Sequence, residues 1–249
     1  MQEVWSEEKG FAHRIGGPRL DGSLDDQVFG VIALLDAYET TLNQRYFSAA
    51  RRTLDYILEY YADAEGAFFD RPSNAPPLGG LDVRRKPFQD SPTPGANSAA
   101  VIALVRMQAF TGDERYYNFA QKTLEAFAGI APQYGLFAAT YGLAALLFAR
   151  HPIQVVITGR VDDPAARSLE AAANGVYRLG KSVLRFTATS SDGTALENLP
   201  SALKETLPHL QADRAVAVVC AGQSCLPATD DPAQLTAMLE NGVAGAASK

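Results

Sequence analysis

The chain has 249 residues, 47% of them hydrophobic, and a formal net charge of −6. That length buries a sizeable core and leaves room for one substantial domain plus a smaller one. An acidic balance with no Lys/Arg stripe argues against nucleic acid as a partner, and no apolar run is long enough to suggest a membrane span.

The first residues are acidic where a signal peptide would be basic and then apolar, so the expected location is cytoplasmic. Residues 5–14 carry bulky side chains around Lys9-Gly10, as in a short hairpin or arm. From Asp25 the period becomes helical. Val28, Ile32 and Leu35 mark one helix, Ala49, Leu54, Ile57 and Leu58 mark a second over about 46–61, and Asn43 punctuates the turn between them.

A long connection over 65–96 holds Gly66, Gly79, Gly80 and Gly95 with Pro72, Pro76, Pro77, Pro87, Pro92 and Pro94. Loops of this length inside compact domains usually bind or cover something. A second helical pair then spans about 97–111 and 114–127 around Gly112-Asp113, and a third inner helix is expected over 136–150.

The two pairs are copies. Val31-Ile32-Ala33-Leu34 returns as Val101-Ile102-Ala103-Leu104, and Thr41, Arg45, Tyr46, Ala50, Thr53 and Leu54 return as Thr111, Arg115, Tyr116, Ala120, Thr123 and Leu124, without a gap. A hairpin that reuses its register covers its apolar face by stacking on copies of itself.

After His151-Pro152 the pattern changes to strand (153–158), helix (165–174) and strand (182–188), the order of a parallel crossover unit. A further strand over 215–220 and a helix opened by Asp231-Pro232 and ending near Glu240 complete it. The predicted class is mainly α: a partial α/α-toroid of stacked hairpins over 1–151, then a small α/β subdomain with parallel strands over 152–249. Cys220 and Cys225 are too few for a disulfide scaffold and are read as two thiols flanking a strand end.

Aligning the repeat lays Asp25-Asp26-Gln27 over Gly95-Ala96-Asn97, at the leading tip of each inner helix. Polar side chains there either cap the helix or face a ligand, and for Asp25 and Asn97 both readings stand. If the tips and linking loops share one rim, Asp26 and Asp90 are the candidate acid/base pair, and Trp5, His13, Asp25, Arg84 and Asn97 the candidate substrate binders. Phe68, Phe69 and Phe88 would add faces for a sugar ring, and two carboxylates across a cleft are what glycoside hydrolysis uses. His13, His151 and His209 show no metal-binding spacing, and no metal or cofactor is called for.

Three segments carry a resemblance: Leu24-Asp25-Asp26-Gln27-Val28-Phe29, Pro94-Gly95-Ala96-Asn97-Ser98-Ala99-Ala100, and Val218-Val219-Cys220 through Cys225-Leu226-Pro227. The chain resembles the C-terminal part of the thioredoxin-domain-containing, spermatogenesis-associated protein 20-like family. That resemblance implies an α/α-toroid similar to N-acylglucosamine 2-epimerase and six-hairpin glycosidases, and a sugar or sugar-like ligand. It implies an isomerase-, epimerase- or hydrolase-type reaction, if any, without assigning one. The His pair of sugar epimerases has no counterpart, and Gln27 and Val28 replace the usual aromatic-containing pair.

A toroid of this kind closes with about six hairpins, so two hairpins and one helix leave apolar flanks exposed. The expectation is self-association or a partner chain that completes the toroid. The competing reading is a non-catalytic assembly module of a split family member, paired with a chain bearing the thioredoxin-like domain.

Overall fold

The structure is a computed structural model that describes residues 3–16, 20–76, 79, 83–186, 214–222 and 224–241. His209, the end of the strand expected to reach 188, and the tail beyond 241 lie outside the described residues. The chain divides into two compact units. One comprises Met1–Tyr38, Arg45–Gln108 and Asp113–Ala149, and the other Glu39–Gln44, Ala109–Gly112 and Arg150–Lys249.

In the first unit a two-stranded hairpin, β1 (Trp5–Ser6) and β2 (Gly10–Phe11), precedes α1 (Leu24–Thr41) and α2 (Gln44–Tyr60). The second pair is α3 (Ala96–Thr111) and α4 (Glu114–Ala128). The first helix of each pair buries a broad apolar set, Val28, Val31, Leu35 and Tyr38 in α1 and Val101, Leu104, Met107 and Phe110 in α3. The second buries one stripe, Phe47, Ala50, Leu54 and Ile57 in α2 and Tyr116, Ala120, Leu124 and Phe127 in α4.

The repeat extends to the turns. Leu42 (φ 53°) and Gly112 (φ 69°) occupy the same repeat position in left-handed backbone. Glycine takes that conformation freely, whereas for leucine it costs roughly 1–2 kcal/mol. The pairs lie side by side in register. Arg106 on α3 donates to Asp36 on α1 at 2.7 Å, and the Tyr116 hydroxyl on α4 donates to Asp55 on α2 at 2.9 Å.

Beyond α4 the expected continuous helix is divided. A short α5 (Ala131–Tyr134) and a 3-10 turn (Gly135–Ala138) precede α6 (Ala139–Ala149), because Gly135 turns the chain through φ 52°. Helix α6 packs on α4 through Tyr117 stacked with Phe148 at 4.6 Å and through the Tyr141 hydroxyl, which donates to Leu124 O at 2.8 Å. No single helix among the described residues is long and apolar enough to cross a membrane.

The second unit holds β3 (Ile153–Thr158), α7 (Pro164–Gly175), β4 (Lys181–Phe186), β5 (Val216–Ala221), β6 (Ser224–Cys225) and α8 (Pro232–Asn241). The sheet order is β4-β3-β5-β6. Among the described strands parallel pairing is confined to β3 and β4; β5 runs antiparallel to β3 and β6 antiparallel to β5, so the sheet is mixed. Its core joins Val155, Ile157, Ala217 and Val219 to Ala166, Leu169, Leu235 and Leu239. The reading of Cys220 and Cys225 as free thiols is corrected. They face each other across the β5–β6 turn with Cα atoms 4.0 Å apart and form a disulfide.

Candidate functional site

The leading tips of α1 and α3 are tied to one short segment. Leu24 N donates to Asp70 O at 3.0 Å, and Phe68 N donates to Asn97 Oδ1 at 2.7 Å. The two tips therefore share an edge, with 68–70 running between them. The long connection folds back onto that edge. Asp70 N donates to Arg85 O at 2.7 Å and Asp70 Oδ1 accepts from Arg85 N at 2.9 Å, while Phe88 stacks on Phe127 at 4.6 Å.

At the α1 tip Ser23 and Asp26 form a capping pair: Asp26 Oδ2 accepts from Ser23 N at 2.7 Å and from Ser23 Oγ at 2.9 Å. The same oxygen lies 2.8 Å from His13 Nδ1. An ionised carboxylate only accepts, so Nδ1 carries the proton and Nε2 is the outward nitrogen. The His13 side chain is 57% exposed and that of Asp26 25%. This is a base-and-orienter arrangement, in which a carboxylate fixes the tautomer and direction of an imidazole that reaches solvent.

Asp25 sits beside this pair, half-buried at the same tip. Burial pushes its carboxyl above the ordinary aspartate range; its own backbone amide pulls the other way, and the neighbouring charges of Asp26 and Asp70 add to the rise. No described side chain donates to it.

Four other expected site residues are held in internal bonds. Asp90 caps twice: Oδ1 accepts from Gly95 N at 2.7 Å and Oδ2 from Thr140 N at 2.8 Å. Asn97 is fully buried, with Nδ2 donating to Phe68 O at 2.9 Å and Pro87 O at 2.8 Å while Oδ1 accepts from Phe68 N. Arg84 donates to Arg71 O at 2.9 Å and Tyr60 O at 3.0 Å, its guanidinium 4.0 Å from the Phe69 ring centroid. Trp5 Nε1 donates to Thr53 Oγ1 at 2.8 Å and its ring remains half-buried. Phe68 and Phe88 are core residues, not open faces, since both belong to the returning connection and pack onto α4, Phe68 against Phe119 and Phe88 against Phe127.

Sequence reasoning missed Gln27. Its Oε1 accepts from Phe11 N at 2.8 Å and its Nε2 donates to Phe11 O at 2.8 Å, with Lys9 O at 3.3 Å. Gln27 and Asn97 share a repeat position, and each clamps both main-chain polar groups of a phenylalanine that precedes its helix. The signal was present: two side-chain amides at equivalent positions, each able to satisfy an N–H and a C=O together. Asp70, which joins the loop to the α1 tip, had no such signal.

The chain is homologous to spermatogenesis-associated protein 20 from Homo sapiens, with 29% identity over 219 residues that cover 88% of this chain and 27% of that protein. The Mus musculus and Rattus norvegicus proteins of the same name match at 28% and 27% identity with the same coverage. The chain thus spans about a quarter of the length of the curated relatives it matches. No family model matches it.

Proposed function

We propose that the helical unit is a carbohydrate-associated segment of the α/α-toroid kind, and that it binds a sugar or sugar-like metabolite at the α1 tip. The observation that carries this reading is the exposed His13 imidazole held by Asp26 at 2.8 Å, next to the half-buried Asp25 carboxyl with its raised proton affinity. His13 Nε2 takes a proton from a carbon or hydroxyl of the ligand; Asp25 supplies one to another atom of the same ligand; Asp26 positions the imidazole. Trp5 gives a partly exposed ring edge for the apolar face of a pyranose.

This favours proton transfer of isomerase or epimerase type over glycoside hydrolysis, because Asp90 has both oxygens occupied by backbone amides and supplies no second free carboxylate. A second reading, a non-catalytic assembly module, draws support from the same commitment of Asp90 and Asn97 to the scaffold.

The test is a thermal-shift screen of monosaccharides, disaccharides and their phosphates on the whole chain and on His13→Gln and Asp25→Asn. The proposal expects a concentration-dependent rise in Tm that both substitutions abolish. A flat response across the panel, or one that both variants retain, would leave the assembly reading in possession.

A further inference from the structure

Helix α6 presents an apolar face that no described residue of its own unit covers. Its sequence, ATYGLAALLFA, contains no charged residue. Ala139, Gly142, Leu143, Leu146 and Ala149 recur at helical spacing and are all exposed, with Leu143 at 50% and Leu146 at 39%. Leu136, one turn earlier, is 90% exposed and Phe137 58%. A helix apolar on every side belongs in an interior.

The opposite flank of the hairpin stack is closed. The N-terminal arm lies on α1 with the Phe11 ring so near Gly30 that a Cβ there would come within 2.3 Å of Phe11 Cε2. The Gln27 clamp and the Trp5–Thr53 bond fix the arm in place. Head-to-tail stacking of one copy's α6 on another's α1 is therefore blocked, and a contact of α6 with its own copy avoids that obstacle.

The stripe has the pattern such a contact needs. With a two-fold axis crossing the exposed face at the level of the inward-facing Ala144, antiparallel α6 helices bring Leu146 opposite the partner's Gly142, large into small at both ends, and Ala139 opposite the partner's Ala149. No like charges meet along α6. The exposed apolar surface of this face is on the order of 500 Å² per copy, so a pair removes on the order of 1,000 Å² from water, the lower bound for a specific interface. We infer that this chain forms a two-fold homodimer through antiparallel packing of α6 on α6.

The test is sedimentation velocity on the whole chain at tens of micromolar. The expected result is a species of twice 26.7 kDa. Leu143→Glu and Leu146→Glu should each weaken the dimer at least tenfold while circular dichroism stays unchanged, since both side chains are substantially exposed. A mixture of Gly142→Cys and Leu146→Cys chains should oxidise to a linked dimer more fully than either chain alone. A monomeric wild-type chain, a dimer that survives both glutamate substitutions, or a monomer that associates through α6 only with a different protein would each overturn the inference.

Discussion

Asn97→Ala should release the long connection from the α3 tip. The substitution leaves two buried main-chain groups without partners, Phe68 N–H and Phe68 C=O, whereas the half-buried Pro87 C=O keeps its bond from the main-chain N–H of residue 97 at 3.4 Å. An orphaned buried group costs about 1–3 kcal/mol, and partial rehydration keeps the total near the lower end, so about 2–3 kcal/mol is expected. Because the clamp is local, the loss falls on opening of the 65–96 connection. Native-state hydrogen exchange reads it directly, and the Phe68 amide should lose protection by a factor on the order of a hundred. Gln27→Ala should do the same to the Phe11 amide and leave Phe68 protected. Asn97→Asp separates the donor from the acceptor, because a carboxylate keeps the bond from Phe68 N–H but faces two carbonyls. Its proton is then held more tightly in the folded state than in the unfolded one, so the variant is most stable in acid and loses stability as pH rises through the folded-state pKa. Unchanged Phe68 protection in Asn97→Ala, or a loss under about 1 kcal/mol, would refute the clamp.

Asp25→Asn should stabilise the first unit at neutral pH. Burial raises the carboxyl's folded pKa above its unfolded value, so the charged form disfavours folding above that range and stability falls as pH rises through it; the asparagine variant should show a flatter acid-range profile in urea denaturation. Gly112→Ala should cost about 1 kcal/mol through left-handed backbone strain alone, since nothing lies within 4 Å of the added methyl; a neutral result in thermal denaturation would contradict that. Gly30→Val should drive the Phe11 ring off α1 and raise protease sensitivity within the arm, with Gly129→Ala, at an open position, as the control that leaves cleavage unchanged.

The helical part of the fold was legible because two signals agreed. The 3.6-residue stripes located the elements, and the repeat fixed which helix of one pair corresponds to which of the other; Arg106 on Asp36 and Tyr116 on Asp55 are contacts between the two copies. The split of the helix expected over 136–150 was less legible, since Leu136 and Phe137 carry helical composition and only the backbone at Gly135 shows the break. In the second unit the β3–α7–β4 order announced one parallel pair. The direction of β5 depends on the path of the preceding chain, which composition does not encode.

For the site, residue type identified the tips but not the task of each side chain. Asp26, Asp90 and Asn97 look alike as polar groups at helix starts. What separates them is how many nearby amides and carbonyls compete for their atoms. Asp90 meets two unpaired N–H groups and Asn97 meets Phe68 and Pro87, whereas Asp25 meets no donor side chain among the described residues. Those counts belong to the folded loop, and the loop's path over the tips comes from contacts distant in sequence, such as Phe88 on Phe127.

The central claim concerns the imidazole at the α1 tip, and the most direct measurement follows the His13 Cε1–H resonance by NMR while monosaccharides and sugar phosphates are titrated into the whole chain. A saturable shift of His13, abolished by Asp25→Asn and accompanied by a change at the Trp5 indole, is the predicted result. A His13 resonance that stays fixed with every ligand, while His151 serves as the unperturbed reference, would contradict the account.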